Sequence, residues 1–354
     1  MVLLLTPLLV LLQSSIVKSR AFPRQNDVPY YTLEEHWVSP ALQTILTQNS
    51  VIGALGLGQK VELLTEVGPE RLASMDANNI QIQIISHVPA PPALYLPNLT
   101  LLANDQLASR VITYPDRFRG FCILPMGLPS EAAAELQRCI QTHGFVGALV
   151  DSHLPDGQSY DSSAYDELWA MAVTLKAPIY LHPTTPDPSE VFSAGSGLYA
   201  PAEEGEYSGH DAASLGTSAW GWHERTGLSF IKLYLGGVFD RFPDLQIVLG
   251  HMGEMVPYFL ARTDRILSSN RTVTFKEVYN RNVYVTTSGM FSLDPMTTLL
   301  RVTDKRRIMY SVDWPLELNE NGSAFMASLR SSGLVSENEF ENIAFRNAQR
   351  LLGI

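Results

Sequence analysis

Glu34, Glu35 and His36 stand together in "YTLEEHWVSP" (31–40), a stretch otherwise built of residues that favour buried strand. Ionised groups are not buried unless they are paired, hydrogen-bonded or bound to a metal, so this cluster asks for a cation or a partner. In a strand, side chains two apart share a face. Glu34 and His36 therefore point one way, as metal ligands, while Glu35 points toward the helical layer or a partner on the helix side. Two more ligand-type residues end strand-like runs, His182 in "YLHPTTP" and Asp313 in "YSVDWP". Two imidazoles and two carboxylates suit one divalent ion, Zn, Mn or Mg, with room left for substrate or water. Zn is the first expectation of the three.

Such residues can meet only if the ends of their strands converge. Eight apolar, β-rich runs alternate with helix-like stretches: 30–36, 80–87, 118–125, 145–151, 178–182, 245–251, 283–288 and 308–313. "SEAAAELQRCIQTHG" (130–144) is one of the intervening helices, with apolar residues at helical spacing and Gly144 as its stop. Strands joined by helical crossovers make a parallel sheet, and eight of them predict an α/β fold, a closed (β/α)8 TIM barrel. Residues 28–354 then form a single barrel domain. Residues 184–230, between the fifth and sixth runs, are too long for a simple connection and are rich in Pro, Gly, Ser and acidic residues, the pattern of a lid or wall.

Barrel enzymes keep their chemistry where strands end, and Glu34, His36, His182, His251 and Asp313 all fall there. His87 ends the second run and is a candidate for touching substrate. His223, in "AWGWHERTG", follows two tryptophans and is a candidate wall of an aromatic pocket. His143, His153 and His210 read as surface or loop residues.

The formal net charge of -11 argues against a nucleic-acid backbone or an anionic membrane as partner, and leaves an anionic small substrate dependent on a local cation. Cys122 and Cys139 are the only cysteines and read as small core residues, with no disulfide framework. The apolar run at residues 2–13 is too short to span a bilayer, so no stable membrane insertion is expected, but it is long enough for a signal peptide. No Lys or Arg precedes Lys18, whereas sequons follow at Asn98, Asn270 and Asn321, so cytoplasmic and secretory destinations stay equally open. Residues 1–27 are set apart as a signal peptide or a disordered N-terminus.

"LEEHW", "YLHP", "GVFDRFPDLQIVLGHMGEMVPYFLARTDR" (237–265) and "MYSVDWPLE" (309–317) resemble the amidohydrolase-superfamily decarboxylases. That group includes the aminocarboxymuconate-semialdehyde, γ-resorcylate, 2,3-dihydroxybenzoate and 6-methylsalicylate decarboxylases. The resemblance implies Glu34, His36, His182 and Asp313 as ligands of one metal. It implies His251 as a catalytic histidine oriented by Glu254, Arg262 as an arginine near the substrate, and Asp313 as the carrier of the proton. Glu-x-His in place of the His-x-His of many hydrolytic members, and no metal-bridging lysine, favour one metal and decarboxylation. The expected activity is non-oxidative loss of CO2 from a hydroxylated aromatic, salicylate-like acid. The alternative is a metal-dependent hydrolase of a lactone or amide on the same barrel. A homo-oligomer, dimer or tetramer, is expected.

Overall fold

The computed structural model describes residues 28–56 and 60–354. Eight parallel strands carry the architecture: β1 (Tyr30–Trp37), β2 (Ile80–His87), β3 (Phe118–Gly120), β4 (Ala148–Asp151), β5 (Ile179–His182), β6 (Ile247–Leu249), β7 (Val283–Thr286) and β8 (Ile308–Met309). Each falls within or upon one of the eight predicted runs. Continuous ladders join β1-β2-β3 and β4-β5-β6-β7-β8, and backbone contacts close the two seams. Leu149 N–H donates to Cys122 O (3.0 Å) and Cys122 N–H to Gly147 O (3.0 Å) on one side, and His36 N–H to Trp314 O (2.6 Å) on the other. The sheet is a closed barrel.

Alternation along the strands divides the apolar residues. Tyr31, Leu33, Ile82, Ile84, Phe121, Leu149, Tyr180, Val248 and Met309 form one cluster, inside the barrel. Ile85, Val150, Leu181, Leu249 and Val285 belong to the larger cluster shared with the helices. Each fully buried side chain of this size contributes roughly 1.5–3 kcal/mol, so the two layers together fix the strand register. Cys122 and Cys139 are free thiols buried in the outer layer.

The predicted helix at 130–144 is present as Pro129–His143, and Gly144 ends it at φ 66°, where a side chain would be strained. The insertion is shorter than its expected 184–230. It carries the short helices Pro188–Phe192 and Gly209–Gly216, and from Gly221 the chain enters the regular crossover helix Gly221–Leu235. Trp222, Phe230, Leu233 and Tyr234 bury that helix, so an apolar stripe takes over where the Gly- and Ser-rich composition ends. The insertion packs Val191, Tyr199, Ala212 and Ala213 against Val51 of the helix Ser50–Ala54, which roofs the strand ends.

The signal-peptide reading falls on residues 1–27, outside the described residues. Asn98, Asn270 and Asn321 are all exposed. No helix among the described residues is long and apolar enough to cross a membrane.

Candidate active site

A bulge in β1 sets the site. Its pairing with β2 shifts register between Thr32 and Glu35. The Ser311 hydroxyl accepts both amides of the bulge, Leu33 N–H (3.0 Å) and Glu34 N–H (2.7 Å). The shift turns Glu34 toward the inner layer that holds Leu33 and Tyr180, so that it meets the Tyr180 hydroxyl, while Glu35 stays on the opposite face.

Glu34, His36 and His182 are buried and bring one ligand-type atom each within 4.8 Å of one another. His182 Nε2 lies 3.0 Å from Glu34 Oε1, and His36 Nε2 lies 3.0 Å from Asp313 Oδ1. Even so, Glu34 Oε1, His36 Nε2 and Asp313 Oδ1 are buried without a hydrogen bond. Buried polar atoms are rarely left without partners, and donor atoms converging on one point without bonding one another fit a cation between them. Their outer contacts hold them in that pose. Tyr180 Oη donates to Glu34 Oε2, leaving Oε1 free, and in turn meets Thr286 Oγ1 (2.6 Å). His182 donates Nδ1–H to Pro183 O (2.9 Å), which leaves Nε2 as the open lone pair. A Cβ on Gly250 would stand 2.8 Å from Glu34 Oε2 and 3.0 Å from Tyr180 Oη, so only glycine lets β6 come this close.

Glu35 is taken up by β8. Its Oε1 accepts from Val312 N–H (3.1 Å) and Ser311 Oγ–H (3.2 Å), and its Oε2 from Trp314 N–H (3.2 Å). These amides flank Asp313, which sits at φ 75°, a left-handed conformation that costs a residue with a side chain roughly 1–2 kcal/mol. Arg71 supports the same corner, with Nη2 donating to His36 O (2.6 Å) and its guanidinium 4.0 Å above the Trp314 ring. The partner of Glu35 is thus the neighbouring strand's backbone together with a buried arginine.

After β6 the backbone runs left-handed from His251 to Met255, at φ 47°, 57°, 92°, 52° and 63°. Non-glycine residues hold such values at a cost, and they recur where a site needs them. The turn folds Glu254 back onto His251, whose Nδ1 donates to Glu254 Oε1 (2.7 Å). Glu254 Oε2 accepts from His223 Nδ1 (2.8 Å), and His223 Nε2 faces Ser218 O (3.0 Å). His251 Nε2 looks into the cluster, 3.8 Å from Glu34 Oε1 and 3.7 Å from Asp313 Oδ2.

The charges here hold one another. Burial pushes the Glu34 carboxyl up, but His251, His182 and His36 outweigh it and keep the group well below the usual carboxylate range. Burial also raises Asp313 and Glu254, and their histidine neighbours likewise bring both below normal. The carboxylates in turn lift His182 and His251 above the ordinary imidazole value, against burial. This is a concentration of anionic oxygens that a divalent cation would satisfy in place of those protons.

The structure does not bring every predicted residue to this place. His87 is buried, accepts Ser39 N–H at Nε2 (3.0 Å) and donates Nδ1–H to Val88 O (2.7 Å). Burial takes it down to about 4, and with both nitrogens committed to backbone it is a neutral strut, not a substrate contact. Arg262 is exposed on the outer helix Val256–Leu267, on the stripe of Tyr258 and Ile266, away from the cavity of its own chain. His223 does line the cavity, but its ring is also bound to Glu254. Of the histidines read as surface or loop residues, His210 is exposed but also lines the cavity beside His223. His143 pairs with Asp105 (2.9 Å), while His153 is buried with Nε2 unpartnered.

Three residues of the site escape a reading of the sequence. Asp151 ends β4 beside His182, with Oδ2 unpartnered, and burial raises its carboxyl to about 7. Its place at a strand end is the signal that could have found it. Tyr180 looks like core, and Glu317 like surface, until the cavity is seen.

Residues 95–354 match the family model described as Amidohydrolase. The chain belongs to the amidohydrolase family. Among its relatives, Decarboxylase orsB of Emericella nidulans is 40% identical over 335 residues, 92% of this chain and 97% of the relative. Gamma-resorcylate decarboxylase of a Polaromonas species is 32% identical, covering 90% and 97%. A crystal structure of a dihydroxybenzoic acid decarboxylase from Polaromonas, with bound manganese and the inhibitor 2-nitroresorcinol, superposes with a TM-score of 0.76 at 29% identity, covering 92% and 97%. Manganese, not the zinc first expected, is the ion that this relative carries.

Proposed function

We propose that this chain is a metal-dependent, non-oxidative decarboxylase of a hydroxylated aromatic acid, a carboxy-lyase that uses one divalent ion. The observation that carries this reading is the set of unpartnered atoms Glu34 Oε1, His36 Nε2 and Asp313 Oδ1, facing His182 Nε2 at the floor of a cavity that His251 and Asp313 help to line. Relatives named as decarboxylases, matched over nearly their whole length, support it.

Glu34, His36, His182 and Asp313 would hold the ion, whose charge would fix the substrate carboxylate and an ortho oxygen. The two oxygens of Asp313 divide its work. Oδ1 turns to the cluster, and Oδ2 faces His251 and the cavity, placed to deliver a proton to the ring carbon that bears the carboxyl group. Protonation at that carbon comes before C–C cleavage, so the bonding electrons return to the ring and no aryl carbanion is expelled. The sum is ArCOO⁻ plus H⁺ to ArH plus CO2. His251 Nε2 faces the acid that must be reprotonated, and Glu254 holds the ring by Nδ1. Insertion residues His210, Ser214 and Ser218 line the cavity, where they would limit the access of bulk water. The Tyr258, Phe259 and Ile266 side chains, exposed on the outer helix, support a homo-oligomer, dimer or tetramer.

The test is CO2 release from a panel of hydroxybenzoic acids with Mn, Zn or Mg. Asp313→Asn should keep metal and substrate binding while turnover falls ~10²-fold or more. Near-normal turnover in that variant would move the proton to another donor.

A further inference from the structure

We propose that Glu317 sets the substrate class of this site, rejecting a second anionic group on the ring and accepting a neutral hydroxyl in its place. The proposal rests on the decarboxylase reading and goes further, to the far edge of the substrate.

The cavity holds about 590 Å³, enough for one substituted ring, and one end of it is His251 and Asp313. Gly289 stands beside both of these residues and Glu317. A Cβ there would lie 3.6 Å from Asp313 Oδ2, 3.6 Å from Glu317 Cγ and 3.7 Å from His251 Cδ2. Asp313 Oδ2 and Glu317 Cγ therefore lie within about 7 Å of each other, and the glycine keeps a side chain out of the space beside them. Glu317 is partly exposed and keeps one firm contact, from Asn321 Nδ2 to Oε2 (3.3 Å). Its Oε1 takes no hydrogen bond among the described residues.

No Lys or Arg among the described residues lines this cavity. Lys60, beside the wall, spends its ammonium on the carbonyl oxygens of Pro315 (3.1 Å) and Leu316 (2.7 Å). The carboxylate to be lost would have the ion to bind, but a second carboxylate beside Glu317 would meet its like charge, with the imidazoles of His210, His223 and His251 and no Lys or Arg side chain in the lining. Two like charges ~7 Å apart at an effective dielectric near 20 would disfavour binding ~50-fold, and a closer approach would do so by more. A phenolic hydroxyl at the same place donates to a carboxylate oxygen, a contact that favours binding ~10-fold or more. The site thus fits a monocarboxylate with an ortho hydroxyl and a second hydroxyl further round the ring.

The test compares ring-matched acids on the manganese-loaded enzyme: 2,4-dihydroxybenzoate against 2-hydroxyterephthalate, and 2,5-dihydroxybenzoate against 4-hydroxyisophthalate. We expect kcat/KM for the better hydroxyl acid to exceed that of its diacid partner by ~50-fold or more. Glu317→Gln should narrow this ratio at least ~10-fold through better use of the diacid, with metal content unchanged. Competitive inhibition of the unmodified enzyme by the diacids reads the same contrast without a variant, and inhibition as tight as that by the hydroxyl acids would overturn the proposal. So would diacids turned over within ~3-fold of their partners, or a ratio that Glu317→Gln leaves intact. Absence of CO2 from every acid would instead bring down the decarboxylase reading itself.

Discussion

Glu35→Gln tests whether the residue between the two β1 ligands works by holding Asp313. Its two oxygens accept Val312 N–H and Trp314 N–H separately, at 3.1 and 3.2 Å, with Ser311 Oγ–H as a third donor. Burial raises this carboxyl to about 8, against the backbone donors and the Arg71 charge. In either protonation state both oxygens can accept, whereas the amide nitrogen of glutamine cannot. One buried N–H therefore loses its acceptor and faces a donor. The lost bond costs roughly 1 kcal/mol and the unpaired amide roughly 1–3 kcal/mol more, about 2–4 kcal/mol in all, and it falls on the residues flanking Asp313. That residue holds φ 75° against its own preference, so a loosened clamp should let it relax out of the ligand set. We expect metal affinity to weaken ~10–100-fold, as on removal of other groups that orient ligands, and turnover to fall even at saturating metal. Calorimetric metal titration and CO2 release at several metal concentrations give the two readouts. Circular dichroism at the assay temperature shows whether the variant is folded. A folded variant that binds metal and turns over within ~2-fold of the parent would refute the reasoning.

His182→Ala should lose the ion outright, because it removes a lone pair aimed at the cluster, whereas His251→Ala should lose turnover with no more than a ~10–100-fold drop in metal affinity. Metal content of the dialysed proteins decides this, and equal content in both would count against the assignment. His87 predicts a pH dependence of stability. Its folded value of about 4 lies below the ordinary 6.5, so the unfolded chain takes up the proton first as pH falls. Stability from this group is intact above pH 6.5 and is lost between 6.5 and 4, by about 1.4 kcal/mol per pH unit and about 3 kcal/mol in total. Thermal unfolding of parent and His87→Asn across that window should differ in slope, and identical slopes would remove His87 as the cause.

The barrel was legible because each buried parallel strand is a short apolar run bounded by turn residues, and all eight runs carry a strand. Period-two alternation also placed Glu34 and His36 together and Glu35 opposite. It could not show the bulge, which depends on the Ser311 hydroxyl reaching across from β8. Residues fixed by long-range backbone contacts were the hardest to read. His87 ends a strand as His182 does, yet Ser39 and Val88 claim both its nitrogens. Glu254 was found through resemblance, since nothing in local propensity announces five consecutive left-handed residues. The end of the insertion was misplaced because composition changes gradually, while the helix begins sharply at Gly221.

The central claim is a proton delivered to a ring carbon as CO2 leaves it, and running the reaction of the manganese-loaded enzyme with a dihydroxybenzoate in deuterated water enriched in ¹⁸O tests it most directly. The account predicts one equivalent of CO2 per product, one deuterium at the carbon that carried the carboxyl group, and no solvent oxygen in the aromatic product. A product that gains ¹⁸O, or that forms without loss of CO2, would contradict it and favour hydrolysis on the same barrel.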